Sequence, residues 1–296
     1  FTDVVEAVIR FAESPIQRGL KIVGESRVGK STVASLVCRE LNARAPAGQV
    51  WALVIEIPTN PTEKTIVELL LFALGNERAD GTEVKLSTQF IKIARECGLK
   101  LVLIDEFHHF VEGRAGVTHL ARAANSLKRL MNSTKPVSYV VVGLHKLLRI
   151  TATCEQLRGR LTATRELGAL GQAMLDNVAD ANVRDVSFRN FLNVLRALTR
   201  VLPFPNASEL YGPELGRRML SAAQGRLGYI KPLLIGAVEL AHQRDERLLS
   251  SELLEAVFTR DIWSDGVGSK NPFNPHFKFE DQLDGPGEPF APDGDW

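Results

Sequence analysis

Eight residues, Gly24-Glu25-Ser26-Arg27-Val28-Gly29-Lys30-Ser31, have the spacing G-x-x-x-x-G-K-[ST]. They stand between the apolar run Lys21-Ile22-Val23, a predicted strand, and an amphipathic stretch from Lys30 to about Leu41, a predicted helix. In that setting the two glycines let successive backbone N–H groups curl toward an anion, and the helix that follows adds its positive end. Lys30 supplies a point charge for the β- and γ-phosphates, Ser31 supplies a hydroxyl ligand for Mg2+, and Thr32 continues the cradle. The chemistry predicted is the binding of ATP with Mg2+, with Gly24 through Thr32 as the binding residues.

A phosphate loop needs an acidic partner, and Leu101-Val102-Leu103-Ile104-Asp105-Glu106 provides one: four apolar residues bury a strand that ends on two carboxylates at its carboxyl edge. Asp105 is expected to hold Mg2+ through water, and Glu106 to orient and deprotonate an attacking water. The second acid favours an ATPase of the group with an additional strand between the phosphate loop and the acidic strand, and the intervening segment Val50–Ile57 is read as agreeing with it. His108 and His109 follow at once. Adjacent histidines on a helix diverge by about 100°, so packing or polar contact near the nucleotide is preferred over a metal site.

Three further groups fit such a site. Arg160, with Arg158 behind it, is the candidate for an arginine that completes the site of a neighbouring subunit. His145, just after the run Val140-Val141-Val142-Gly143, is the candidate γ-phosphate sensor, since Leu144 cannot act as one. Arg226 or Lys231, in Gly225-Arg226-Leu227-Gly228-Tyr229-Ile230-Lys231, stands where a second sensor would be.

The elements that must position these residues follow from periodicity. Val4, Val5, Val8, Ile9 and Phe11 recur at helical spacing. Asn60-Pro61-Thr62-Glu63 reads as a helix start with Asn60 as N-cap and Pro61 at the first position. A second helix runs from the break at 79–81 to about Cys97 and is ended by Gly98; a third covers about Val117–Asn132; a fourth strand reads Val137–Val142. Strands apolar along their whole length and alternating with helices predict an α/β fold, a P-loop core with a parallel sheet covered on both faces, over residues 1–170. From 171 to 269 only helical patterns recur, around Phe188–Leu202, Leu215–Ala223, Ile230–Ala241 and Ser251–Phe258, which predicts a small all-helical lid domain.

Residues 270–296 contain five prolines, and two lysines against six acids give them a net charge of −4, leaving +5 on the rest of a chain whose total is +1. The segment also holds Phe273, Phe277, Phe279, Phe290 and Trp296. Two readings stand: a disordered end, or an extended segment docked on a neighbouring subunit or partner. The near balance of 36 basic against 35 acidic residues excludes a protein that holds nucleic acid by bulk charge, so any such site must be a local patch. Cys38, Cys97 and Cys154 lie too far apart for a disulfide framework or a Cys-based zinc site, no apolar run reaches the roughly 18 residues of a membrane span, and Phe1–Val5 lacks the basic start of a secretory signal. These features predict a cytoplasmic protein with no membrane partner.

Taken in order, Gly24–Ser31, Leu103-Ile104-Asp105-Glu106, Val140–Gly143 and Glu155-Gln156-Leu157 with Arg160 resemble the TnsC/TniB branch of the AAA+ ATPases. Gly225–Lys231 and Asn271-Pro272-Phe273 are similar too, so the resemblance spans roughly residues 15–275, with Leu144 departing from the Thr that often follows the glycine. The resemblance implies a transposition regulator that binds ATP, assembles as a ring or helical filament around double-stranded DNA and is nucleoid-associated when DNA-bound. It implies partners as well: a TniQ-type target selector and a DDE transposase, in some cases within CRISPR-associated transposons. Hydrolysis would then drive disassembly. It also places Lys64 and Thr82 near positions that track a DNA backbone, with Lys85, Arg114 and Lys135 as further members of the track. A signalling or scaffold ATPase that switches partners without DNA is the alternative, favoured by the near-neutral total charge; a helicase loader or motor has no added element to support it.

Overall fold

The computed structural model describes residues 2–59, 61–62, 64–76, 80–111 and 116–291. The chain divides into two compact units, Phe1–Leu167 and Gly168–Trp296.

The first unit is built on five parallel strands: β1 (Gly19–Val23), β2 (Ala52–Glu56), β3 (Leu101–Asp105), β4 (Ser138–Gly143) and β5 (Ala163–Glu166), in the spatial order β2-β3-β4-β1-β5. Every residue of β3 and β4 is buried, which is what strands covered by helices on both faces require. The helices are α1 (Thr2–Ala12), α2 (Lys30–Ala43), α3 (Thr65–Ala73), α4 (Glu83–Glu96), α5 (Gly116–Ser133), α6 (Lys146–Thr153) and α7 (Glu155–Arg158). α2 turns Val33, Ala34, Val37 and Leu41 inward at helical spacing. The predicted parallel α/β sheet is therefore the observed one.

Three sequence expectations change. The strand lying between β1 and β3 is β4, whereas the segment 50–57 becomes β2, the outer edge of the sheet. Chain order does not determine spatial order, because a crossover helix can carry a strand past its neighbour. β5 was not anticipated: Ala163-Thr164-Arg165-Glu166 is an exposed edge strand with no apolar run to betray it. Helix α3 begins at Thr65 rather than at Pro61, and the Thr65 hydroxyl accepts the Thr62 N–H at 2.7 Å to close the turn ahead of it; Asn60 lies outside the described residues.

The second unit is helical: α8 (Gln172–Leu175), α9 (Ala181–Thr199), α10 (Pro213–Ala223), α11 (Leu227–Arg244) and α12 (Ser251–Val257). Its core takes in Phe191, Leu195, Met219, Leu233 and Phe258, and also Phe273, Phe277, Leu283 and Phe290. This corrects the reading of the C-terminal segment. Among the described residues Phe273, Phe277 and Phe290 are buried in the core of their own helical unit, with Phe279 packed against it. Asn271 fixes the approach, its buried amide donating to Glu255 O at 3.0 Å and Gly266 O at 2.9 Å while its Oδ1 accepts the Phe273 N–H at 3.0 Å. Arg218 donates to the carbonyls of Pro272 and Asn274, both at 2.8 Å, and the Arg217 guanidinium lies 4.2 Å from the centre of the Phe279 ring. Trp296 lies outside the described residues.

Phe273 is 1% exposed. Phe273→Ala is therefore expected to destabilise the helical unit by about 3–5 kcal/mol, the usual cost of deleting a buried phenyl ring. Glu280→Gln, on the exposed side of the same segment, should leave the denaturant midpoint unchanged; equal midpoints for both variants would mean the segment is not part of the core.

Candidate nucleotide and nucleic-acid site

The phosphate loop leaves β1 at Val23, and Gly29 takes φ 108° to serve as the N-cap of α2, a left-handed conformation that a side chain would strain. Arg27 also sits in the left-handed region, at φ 64°. These reversals fold the loop over Lys30, which is only 5% exposed and donates from Nζ to the carbonyls of Gly24 (3.0 Å) and Glu25 (2.7 Å). An ammonium held by its own loop in this way is a positive charge already desolvated and aimed across the loop opening. Ser31 and Thr32, in the first turn of α2, are exposed.

Two strands away, about 10 Å at the usual strand spacing, β3 delivers Asp105 and Glu106. Asp105 is buried, and its Oδ1 accepts the Glu106 N–H at 2.9 Å. Glu106 has φ 52°, a strained setting for a residue with a β-carbon, of order 1–2 kcal/mol. Its carboxyl is pushed above the ordinary range, first by burial and then by the charge of Asp105, with Lys30 and His109 pulling the other way. Ser31 and Asp105 offer a hydroxyl and a carboxylate, the hard oxygen donors that suit Mg2+, so the donor set fits that ion.

The short 3-10 turn Phe107–Val111 then carries Phe107 and Phe110 into the core, their rings 5.2 Å apart, and returns His108 and His109 to the acids. His108 Nδ1 lies 3.2 Å from Glu106 Oε2, and His109 Nδ1 is 2.7 Å from Ile57 O. The divergence expected of adjacent helical residues does not hold here. The rings are 4.7 Å apart, and one ligand atom from each of Glu106, His108 and His109 falls within 4.8 Å of the others.

His145 precedes α6 and is bridged by two acids: Nδ1 is 3.2 Å from Glu25 of the phosphate loop and Nε2 is 3.0 Å from Glu166 at the end of β5. The structure thus brings Lys30, Asp105, Glu106 and His145 to the carboxyl edges of β1, β3 and β4. Glu166 was missed by sequence reasoning because it belongs to the unanticipated β5.

Arg160 is placed elsewhere. Its carbonyl oxygen sits 2.1 Å from where a β-carbon on Gly19 would be, at the amino end of β1. Its guanidinium donates to Asn132 Oδ1 (3.2 Å) and Gln156 O (3.4 Å). The phosphate loop lies beyond the other end of that strand, roughly 16 Å away at 3.3 Å per residue. Arg160 therefore does not reach its own chain's loop. Lys231 belongs to the helical unit, exposed near the start of α11, where it lines a groove with Leu198, Val201, Leu202 and Ile235; Arg226 is the N-cap of that helix.

The residues of the DNA track separate into two groups. Lys64 Nζ donates to Gly81 O at 2.9 Å, and the Thr82 hydroxyl caps α4 by accepting the Lys85 N–H at 3.3 Å, so Lys64, Thr82 and Lys85 gather at one helix start. Glu83 in the same turn is neutralised by Arg129. Lys135 does not join them. The 14 residues of α4 extend about 20 Å, and Lys135 lies beyond its far end, where Arg95 donates to Ser133 O at 2.9 Å. Arg114 lies outside the described residues.

A family model described as "Bacterial TniB protein" matches residues 2–167, more than half of the chain and the whole of the sheet unit. The chain belongs to the TniB family. No curated protein matches it significantly. Among solved structures it is similar to the ORC2 protein of Aeropyrum pernix in ADPNP–ADP complexes, with a TM-score of 0.62 at 16% identity over 87% of this chain and 67% of that one. The ADP form of the same ORC2 protein gives 0.63 at 16%, over 89% and 69%. The ORC1 protein of Aeropyrum pernix in complex with DNA gives 0.62 at 16%, over 88% and 64%. The TniB chain thus spans about two thirds of the length of these structures. At that identity the likeness shows the fold alone, a parallel α/β core followed in the chain by a helical unit. Among the described residues no helix is long and apolar enough to cross a membrane, and the three cysteines are free thiols.

The bridge at His145 has a measurable consequence. His145→Ala removes the imidazole that lies against Glu25 and Glu166 where phosphate charge would arrive, so affinity for ATP should fall roughly three- to tenfold, the scale of a lost hydrogen-bonding partner. Glu25→Gln in the same background should recover most of it. Fluorescent-nucleotide titration reads both, and unchanged affinity in the single variant would show the bridge to be irrelevant to the nucleotide.

Proposed function

We propose that this TniB chain is an ATPase that assembles on double-stranded DNA and regulates transposition, linking a TniQ-type target selector to a DDE transposase, with hydrolysis driving disassembly. The observation that carries the reading is the buried Lys30 ammonium facing the Asp105–Glu106 edge within a chain of the TniB family. The ORC2 relatives are described with ADPNP and ADP, and the ORC1 relative with DNA, which supports carrying both ligand classes to this chain.

Each group has a physical task. Loop N–H groups from Gly24 to Thr32 and the α2 N-terminus cradle the phosphates, and Lys30 exchanges neutral carbonyl partners for charged phosphate oxygens. Mg2+, held by Ser31 and Asp105, would neutralise charge on those oxygens. Glu106 takes the proton of the attacking water, a task its raised proton affinity suits. Lys231, near the start of α11 in the helical domain (171–269), is the candidate for a second sensor. Arg160 acts in trans, since its own loop lies beyond the far end of β1, and an arginine supplied this way is worth about 10³–10⁵ in rate. Assembly and catalysis are then one event: a protomer becomes a competent ATPase when a second copy presents Arg160. Whether the assembly is a ring or a filament, and whether it serves a CRISPR-associated element, are finer forms of the same proposal.

DNA is met through phosphates by Lys64, Thr82 and Lys85, so binding should show little sequence preference and fall linearly with the logarithm of salt concentration. Anisotropy of a random duplex, with and without a non-hydrolysable ATP analogue, tests the reading. Binding is expected only with the analogue, weakened several-fold in Lys64→Glu. Nucleotide binding with no response to duplex would select the scaffold reading instead. An equimolar mixture of Arg160→Ala and Glu106→Gln protomers, each inactive alone, should recover part of the ATPase rate on DNA; no recovery would contradict action in trans.

A further inference from the structure

We propose that His108 is a positioning residue for Glu106: its imidazole, lodged between that carboxylate and Gly143, holds the carboxylate in the orientation that takes a proton from water. The proposal rests on the reading of Glu106 as the base and deepens it.

The contact is local and enclosed. His108 is 4% exposed, and its Nδ1 stands 3.2 Å from Glu106 Oε2 on one side. On the other side the ring presses on the end of β4, where a β-carbon added to Gly143 would lie 3.2 Å from the same nitrogen. Gly143 therefore provides the room the ring occupies. The turn that carries His108 is itself pinned: Phe107 and Phe110 are buried at i and i+3, which eclipse in a 3-10 helix and anchor one side of it. His109 Nδ1 reaches Ile57 O beyond β2, and the His109 N–H donates to Glu106 O at 3.0 Å. A ring set between Glu106 and Gly143 on a turn pinned in this way is a fit support for a carboxylate whose own backbone is left-handed.

The support answers a need. Asp105 and Glu56 repel the Glu106 carboxylate, and Lys30 and His109 attract it. Unrestrained, the carboxylate would swing toward the Lys30 ammonium and be spent on an ion pair with the phosphate-binding group. The imidazole, 3.2 Å from one carboxylate oxygen, limits that swing and leaves the other oxygen for water.

The test uses the full chain with Mg-ATP and duplex. His108→Phe keeps the ring shape without the nitrogen, and His108→Asn restores an N–H near the Nδ1 position. The expected result is a fall in kcat of about tenfold or more for His108→Phe with ATP dissociation within about twofold of wild type, and recovery of most of the rate in His108→Asn. Gly143→Ala, which pushes on the ring from behind, should lower kcat in the same way and carries the test if His108→Phe does not fold. Wild-type kcat in His108→Phe beside an inactive Glu106→Gln would overturn the positioning role and leave the ATPase reading standing. So would a loss in His108→Phe that is matched in ATP affinity and not rescued by Asn. Wild-type turnover in Glu106→Gln would instead remove the reading on which the proposal rests.

Discussion

The rest of the site depends on one buried cation. Lys30 is withdrawn from water, and its ammonium donates to the carbonyls of Gly24 and Glu25 in its own loop. Burying an ammonium costs free energy, and phosphate oxygens would give it charged acceptors. Everything nearby is arranged on that charge. The left-handed turns at Arg27 and Gly29 fold the loop over it, β4 lies between its strand and the acidic strand β3, and the turn after Glu106 returns His108 to that carboxylate. In the proposed account this sheet order matters, because one strand of separation leaves room for phosphate between cation and carboxylates.

What the sequence disclosed, and what it withheld, follows from the range of the interactions. The phosphate loop and the Asp105–Glu106 strand end are local patterns whose chemistry is set by neighbours within eight residues, and both stand where they were read. The parallel sheet was legible because wholly buried strands are continuous apolar runs. β5 was not, since an exposed edge strand such as Ala163–Glu166 needs only β1 to pair with and carries no periodic signal. His145 could be singled out, but its partners Glu25 and Glu166 are joined only by the adjacency of β1, β4 and β5. The C-terminal aromatics illustrate the same limit. Phe273, Phe277 and Phe290 follow no helical or strand period, so composition suggested a tail, while tertiary packing makes them core.

The position of Arg160 links fold to assembly. A residue tied to the amino end of β1 cannot serve a loop at the carboxyl end of the same strand, which is why the proposed account assigns Arg160 to the site of another copy. Lys64, Thr82 and Lys85 at the start of α4 form a separate polar group, already ordered by the Lys64–Gly81 bond and the Thr82 cap. In the proposed account nucleotide, neighbour and duplex are three ligands of one protomer, each favouring the others because each is bound by a different part of the same sheet unit.

The central claim is that the Lys30 ammonium is the anchor for triphosphate. Isothermal titration of ATP and Mg2+ into the wild-type chain and into Lys30→Ala, with thermal melting to confirm that both fold, tests it most directly. The account predicts saturable one-site binding in the wild type and a loss of about 3 kcal/mol or more in the variant, the scale of a charge-assisted contact removed from a buried setting. Equal affinity in the two proteins, or no binding of ATP by a folded wild-type chain, would contradict it.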